Sequence, residues 1–94
     1  MRSVSFKYKG TMVQVTKCLK EEFKFDDSVE TVKEALEKLN EHYHMQLTQY
    51  VKDQVFIVFE KDDEKSKLLG NENDLTATLG INNVLTFYYP FKGG

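Results

Sequence analysis

The sequence has very little cysteine and proline: Cys18 and Pro90 are the single residues of their kinds among 94. A lone cysteine excludes a disulfide within the chain and gives no sign of an oxidising compartment. The sequence also has no block of lysines and arginines, which argues against nucleic acid as a partner. Its first residues contain no apolar run long enough for a signal peptide or a membrane span, so we expect a cytoplasmic protein.

What remains is the composition of one small domain. Hydrophobic residues make up 40% and charged residues 30% of the chain, acids and lysines are interspersed along it, and the formal net charge is −2. Seven Phe and five Tyr supply large apolar areas, which matters because a domain of this size buries only a modest core.

The first 25 residues predict a β-hairpin. Apolar residues alternate with polar ones in the first strand, and Gly10 then supplies a turn. A β pattern resumes at Met12 but falls out of register before Phe23 and Phe25, which predicts a second strand with a bulge or an insertion. The alternating residues of the first strand are Val4, Phe6 and Tyr8.

One long helix is predicted from Ser28 to Tyr43. Asp26, Asp27 and Ser28 supply oxygen atoms for an N-cap, and Glu30 follows in the first turn. Apolar residues then recur at spacings of three and four, as in a helix with one buried face. Together with the strands, this pattern predicts a core of Val4, Phe6, Val29, Val32, Leu36, Leu39, Leu85 and Phe87.

Three further strands are predicted in the second half. The continuous apolar run in Gln54 to Glu60 is typical of a strand inside a sheet, and Leu68 to Gly70 fits a short strand. Asn71 to Asn83 is rich in turn residues, and Val84 to Tyr89 closes the sheet. The expected apolar anchors of the turn-rich segment are Leu75, Leu79 and Ile81.

Residues of catalytic or metal-binding type form no convincing set. No Ser/His/Asp or Cys/His arrangement and no phosphate-binding glycine loop occurs, and Cys18 is expected to be a small buried hydrophobe. His42 and His44 are two residues apart, so their side chains point in different directions on a helix. We therefore predict no metal site and no enzymatic activity.

The end of the sequence is its most informative part. Pro90 interrupts strand pairing and Gly93-Gly94 offers no side chain to pack, so we expect a domain over residues 1–89 and a mobile tail over residues 90–94. An extended tail of this length reaches roughly 16 Å. Because glycine has no Cβ, the tail can pass through a channel too narrow for other residues and bring its carboxylate into a partner's pocket.

The order of elements resembles the ubiquitin-like β-grasp, an α+β fold in which a mixed four- to five-stranded sheet packs on one long helix. Ser28 to Lys33 with Leu36 resembles the capped start of the ubiquitin helix, and Leu79 to Leu85 resembles the turn into its last strand. Phe87 to Gly94 is similar to the close of the sulfur carriers MoaD and ThiS, where aromatics and proline precede the diglycine. Segments 16–25 and 61–73 look like additions to the shorter carriers.

The resemblance implies a function for the tail. An activating enzyme that uses ATP and a metal would adenylate the carboxylate of Gly94, with Gly93 leading it into the site, and a sulfur nucleophile would capture it as a thiocarboxylate or thioester. The chain itself would bind no cofactor. Separately from the resemblance, exposed aromatics beside the tail predict a docking patch of Tyr88, Phe91 and Thr86, joined by Phe56, Ile57 or Val58 from the third strand.

Three functions remain open on the sequence. The aromatic ending favours a sulfur carrier, whereas the greater length and the helix start favour a protein modifier attached to target lysines; the ubiquitin-related modifier family serves both uses. The third is a β-grasp interaction module whose Gly-Gly takes no part in chemistry.

Overall fold

The computed structural model describes residues 1–10, 12–45, 56–69 and 72–88. The predicted strand residues Gln54, Val55, Gly70 and Tyr89, and the whole predicted tail over residues 90–94, lie outside the described residues. The elements, in chain order, are β1 (Arg2–Lys7), α1 (Met12–Thr16), β2 (Lys20–Phe25), α2 (Val32–His42), β3 (Phe56–Lys61), β4 (Lys67–Leu69), a 3₁₀ helix (Glu72–Thr76) and β5 (Asn82–Tyr88).

The strands form one mixed sheet of five strands in the order β2-β1-β5-β3-β4. β1 and β5 are parallel, while β2 pairs with β1, and β3 with both β5 and β4, in the antiparallel sense. The predicted mixed sheet is therefore confirmed. β5 occupies its centre, so the described strand that comes last in the sequence is paired on both sides.

One hydrophobic core joins the sheet to α2, and every predicted core residue is buried in it. The ring of Phe87 stacks on Phe6 at a centroid distance of 6.1 Å and on Tyr8 at 5.7 Å, so aromatic contacts join the two parallel strands at the middle of the sheet. The core also contains Tyr8, Met12, Ala35, Ile57, Phe59, Leu69 and Leu79.

The predicted second strand is misplaced. Residues Met12–Thr16 form the short helix α1, and the strand that pairs with β1 is β2, further along the chain. Met12 and Thr16 are buried one helical turn apart, and the Thr16 hydroxyl donates to the Met12 carbonyl at 3.1 Å. Left-handed backbone at Gly10 (φ 67) and Lys17 (φ 62) bounds the helix at both ends. The break in register before Phe23 therefore reflects a helix, not a bulge, and segment 16–25 is not an addition, because it contains β2.

The long helix predicted from Ser28 is also wrong at its start, since α2 begins at Val32 and has 11 residues. Thr31 is the N-cap, and its hydroxyl oxygen accepts from the backbone N–H of Glu34 at 3.3 Å. The backbone N–H of Ser28 instead donates to the Asp26 carboxylate at 2.9 Å, a local turn that competes with helix formation. Val29 is nevertheless buried, from the loop that precedes the helix.

The turn-rich segment before β5 keeps two of its three predicted anchors. Leu79 is buried and Leu75 packs against the core, but Ile81 is 69% exposed. The chain is held here by polar bonds, because the Asp62 carboxylate accepts from the backbone N–H groups of Ile81 at 3.3 Å and Asn82 at 3.0 Å. Among the described residues, no helix is long and apolar enough to cross a membrane.

Candidate docking face

The central strand β5 presents one of its faces to the core and the other away from it. Leu85 and Phe87 are buried, whereas Tyr88 is 41% exposed at the end of the strand. This confirms the predicted alternation. Thr86 shares the outer face with Tyr88 but is only 5% exposed, so little of its side chain is accessible to a partner.

A row of side chains crosses the outer face beside Tyr88. Val58 on β3 lies directly opposite Thr86 on one side and Leu68 of β4 on the other, while Lys7 of β1 pairs with Thr86 from the far side. Leu68 is 58% exposed and Val58 is half-buried. We name Val58, Leu68, Thr86 and Tyr88 the docking face.

The structure narrows the choice of the third-strand residue that lies beside Tyr88 and Thr86. Ile57 is buried in the core, which leaves Val58 as the described side chain of β3 on the docking face. Phe56 pairs with Tyr88 in the register, but its side chain lies outside the described residues, as does all of Phe91. The docking role of Tyr88, Phe91 and Thr86 stays a prediction.

Leu68 was not among the sequence candidates, although a signal for it existed. In a strand, adjacent side chains point to opposite faces, so only one leucine of the pair in β4 can reach the core. Leu69 is buried and Leu68 is left outside.

Electrostatics also bear on Tyr88. The ammonium of Lys9 lies over the Tyr88 ring, 4.9 Å from its centroid. A cation in that position is attracted by the negative face of the ring. The contact orients the tyrosine at the point where β5 ends and places a positive charge next to it.

The segment that follows β5 has the length to reach a partner's site. Residues 89–94 come after Tyr88, and six residues span at most about 20 Å when extended. Gly93 and Gly94 belong to this segment and lie outside the described residues. The structure does establish where the described part of β5 ends, which is at Tyr88, in the central strand of the sheet and on the docking face.

On the helix side of the sheet, the carboxylate of Glu21 joins two tyrosines. Its Oε2 atom accepts a hydrogen bond from the Tyr8 hydroxyl at 2.6 Å and a second from the Tyr43 hydroxyl. Burial, and then the hydrogen bond to Glu21, raise the pKa of both Tyr8 and Tyr43 well above the usual tyrosine value. The arrangement fastens the end of α2 to β2 and β1, which suits a structural role.

The remaining residues of catalytic type are dispersed. No cluster of three or more His, Cys, Asp or Glu side chains that could hold a metal occurs within the described ranges. The His42 ring packs edge-on against Phe23, with centroids 5.0 Å apart. Cys18 lies in the loop before β2 and not in a strand, and it is half-buried against the core.

A cleft of about 350 Å³ lies between the β3–β4 hairpin and residues Ala77 and Thr78. Within it Lys61 forms an ion pair with Glu64 at 3.6 Å and donates to the Thr78 carbonyl at 3.3 Å. The cleft adjoins the end of β3 that is far from Tyr88, so it does not belong to the docking face.

Comparison with solved structures finds a similar fold. The crystal structure of SAMP1 from Haloferax volcanii superposes with a TM-score of 0.71 at 17% sequence identity, over 98% of this chain and 99% of that one. No protein-family model matches the sequence. A comparison with curated proteins also finds no match. The likeness therefore lies in the arrangement of the elements, and it extends over nearly the whole of both chains.

Proposed function

We propose that this chain, which has the ubiquitin-like β-grasp fold, is a sulfur carrier that acts through the carboxylate of Gly94. An oxygen of that carboxylate attacks the α-phosphorus of ATP in an activating enzyme, which releases pyrophosphate and leaves an acyl adenylate. Hydrosulfide then attacks the acyl carbon and displaces AMP to give a thiocarboxylate, whereas a thiol as nucleophile would give a thioester. The activating enzyme supplies the ATP site and the metal, which stabilise the charge that develops.

One observation carries the proposal. Among the described residues the central strand β5 extends to Tyr88, and the segment that contains Gly93-Gly94 follows it in the sequence. The Gly94 carboxylate lies at most about 20 Å from Tyr88. A partner that contacts the docking face therefore has the carboxylate within that distance of the contact. In this proposal the chain is a substrate and not an enzyme, because it needs to supply only reach and a docking face.

A protein modifier is the second candidate, and the length of the fold favours it. The match to SAMP1 covers both chains almost completely, so segments 16–25 and 61–73, which contain β2 and β4, belong to the shared fold itself and are not additions to a short carrier. A modifier would use the same adenylate but pass its acyl group to a lysine amine of a target protein.

The test is the intact mass of the chain after incubation with ATP and an extract of its host. A carrier gains the mass difference between oxygen and sulfur at its terminus, whereas a modifier gives adducts linked through lysine. The starting mass also shows whether Gly94 carries the terminal carboxylate in the mature protein, as both functions require.

Two variants serve as controls in the same assay. Deleting Gly94 is expected to abolish the ATP-dependent product, because the segment is then one residue shorter and its carboxylate does not reach the ATP site of the activating enzyme. Gly93→Ala is expected to impair it, because a Cβ crowds the channel and restricts φ. Products that survive the deletion would overturn both functions and leave a non-covalent interaction module.

A further inference from the structure

Charge is unevenly divided along this chain. Residues 1–25 carry six basic and two acidic residues, a net charge of +4, while residues 26–94 carry seven basic and thirteen acidic ones, a net charge of −6. The overall value of −2 conceals this division. The expectation of evenly interspersed charge therefore does not hold between the two parts of the sequence.

The fold gathers four of the basic residues at one end of the sheet. Lys7 lies directly opposite Lys20 in the β1–β2 ladder. Lys9 lies over the ring of Tyr88, and Lys17 is in the connection from α1 to β2. We name these exposed residues the lysine end: Lys7, Lys9, Lys17 and Lys20.

The Lys7–Lys20 pair is unfavourable for the isolated protein. Like charges directly opposite each other on neighbouring antiparallel strands are destabilising. The two nearest acids on β2 form no ion pair with these lysines: Glu21 accepts hydrogen bonds from two tyrosines, and Glu22 lies opposite Ser5. In the part of the chain that the structure describes, no residue of the lysine end forms an ion pair.

The ion pairs of the described residues lie elsewhere. Asp27 meets Arg2 at 3.7 Å and the terminal amine of Met1 at the same distance, at the opposite end of β1. The other two pairs join Lys38 to Glu41 on α2 and Lys61 to Glu64 after β3. Among the described residues, the acids that form ion pairs thus do so with cations at other positions, and none of them pairs with the lysine end.

Exposed apolar groups accompany the lysine end. Leu19 is 70% exposed and Tyr88 is 41% exposed. The Leu19 carbonyl accepts from the backbone N–H of Tyr8 at 2.9 Å, which places Leu19 beside the end of β1. A surface that mixes ammonium groups with exposed apolar side chains resembles the rim and centre of a protein–protein interface.

We infer that the lysine end, with Leu19 and Tyr88, is a docking surface for an acidic face of a partner protein. Carboxylates of the partner neutralise the Lys7–Lys20 repulsion, and this relief is gained only in the complex. The inference deepens the proposed function, on which it rests for the partner's identity: the protein that receives the segment after Tyr88 is the one that presents the acids. Nucleic acid fits less well, because four cations on a chain of negative net charge make a small cationic surface.

The test uses the full ¹⁵N-labelled chain and a decaglutamate peptide as the acidic probe, titrated by NMR at low and at high salt. Amide shifts are expected to concentrate at the lysine end and to weaken with salt. The double variant Lys7→Glu/Lys20→Glu is expected to bind roughly tenfold more weakly. Lys24→Glu is the matched control, since Lys24 is also exposed on β2 but at its other end. We expect this substitution to change the affinity for the peptide by less than about twofold.

Three outcomes would overturn the inference. They are shifts spread over the whole surface, equal weakening by Lys24→Glu, and tighter binding of a ten-residue oligouridylate through the same lysines, which would indicate nucleic acid instead. The titration needs neither ATP nor Gly94, so its failure can be told apart from failure of the carrier chemistry.

A stability measurement separates lost binding from lost folding. Lys20→Glu converts the repulsion with Lys7 into attraction, so its urea midpoint is expected to rise. Lys24 lies opposite Ser3, and Lys24→Glu removes no such pair, so no rise is expected from it. A lower midpoint for Lys20→Glu would show that the opposed lysines do not repel in the folded protein.

Discussion

The side-chain amide of Asn83 pairs with the backbone of Gly80 through both of its polar atoms. Oδ1 accepts from the Gly80 N–H at 2.8 Å, and Nδ2 donates to the Gly80 carbonyl at 3.0 Å. Nδ2 also donates to the Ser3 carbonyl at 3.0 Å. Asn83 is 2% exposed, so one buried amide fixes the turn before β5 and ties it to β1.

We expect Asn83→Ala to lower the free energy of unfolding by about 1–3 kcal/mol, because it leaves partly buried backbone groups of Gly80 and Ser3 without these partners. Asn82→Ala is the control, since Asn82 is the exposed neighbour, and it should change stability by less than about 0.5 kcal/mol. Urea denaturation measures both. Equal effects of the two substitutions would show that the Asn83 bonds contribute nothing particular.

Stability is expected to fall in alkaline solution because of Tyr8 and Tyr43. Burial and the bond to Glu21 raise the pKa of both hydroxyls in the folded state, so the unfolded chain loses these protons first. The stabilisation is complete below the unfolded tyrosine pKa of about 10 and is lost progressively above it. Urea unfolding from pH 8 to about 11.5 should show the fall.

Tyr8→Phe supplies the control for this dependence. The variant lacks the more buried hydroxyl, so its stability should fall less steeply above a pH of about 10 than that of the wild type. Parallel curves for the two proteins would mean that Tyr8 does not cause the alkaline loss.

Leu36→Ala is expected to cost about 2–5 kcal/mol, because it removes a large apolar side chain from the core face of α2. Leu36 is 7% exposed, while the adjacent Glu37 is exposed and serves as the control position. Glu37→Ala should alter the urea midpoint little. A loss of only a few tenths of a kcal/mol in Leu36→Ala would contradict the assigned helix face.

Tyr88→Ala is expected to slow the ATP-dependent modification of the chain roughly tenfold at limiting chain concentration, as for loss of an aromatic anchor. The urea midpoint should stay nearly unchanged, since the side chain is exposed. Ile81→Ala is a suitable control, because Ile81 is also exposed but precedes the other end of β5. If modification proceeds equally fast in all three proteins, Tyr88 does not anchor the partner.

Much of the fold could be predicted because burial follows simple periods. Alternation fixed the inner faces of β1 and β5, and spacings of three and four fixed the buried stripe of α2. The pattern around Met12 fits a strand as well as a helical turn, and left-handed backbone at Gly10 and Lys17 decides for the helix. The Asp26 carboxylate accepts from the Ser28 N–H in a local turn and does not cap the helix, and Thr31 is the N-cap of α2.

The surface around Tyr88 was only partly predictable from the sequence. The position of Tyr88 on the outer face follows from alternation within one strand, whereas the grouping of lysines at the lysine end depends on which strands pair. Lys7 meets Lys20 only when β2 begins at Lys20, so a misplaced second strand hides the opposed charges. Leu68 likewise becomes an outer residue only once β4 is known to pair with β3.

The parallel pairing of β1 with β5 has a consequence during synthesis on the ribosome. Residues 3–7 find their partners at residues 82–86, so the nascent chain cannot complete its sheet until almost all of the described sequence has been translated. A chain that stops before β5 lacks the central strand, so the β1–β2 pair and the β3–β4 pair have no strand between them. We expect proteases to degrade such a chain. Because the segment after Tyr88 is translated after all five strands, it can reach a partner only on a chain that already contains the whole described sheet.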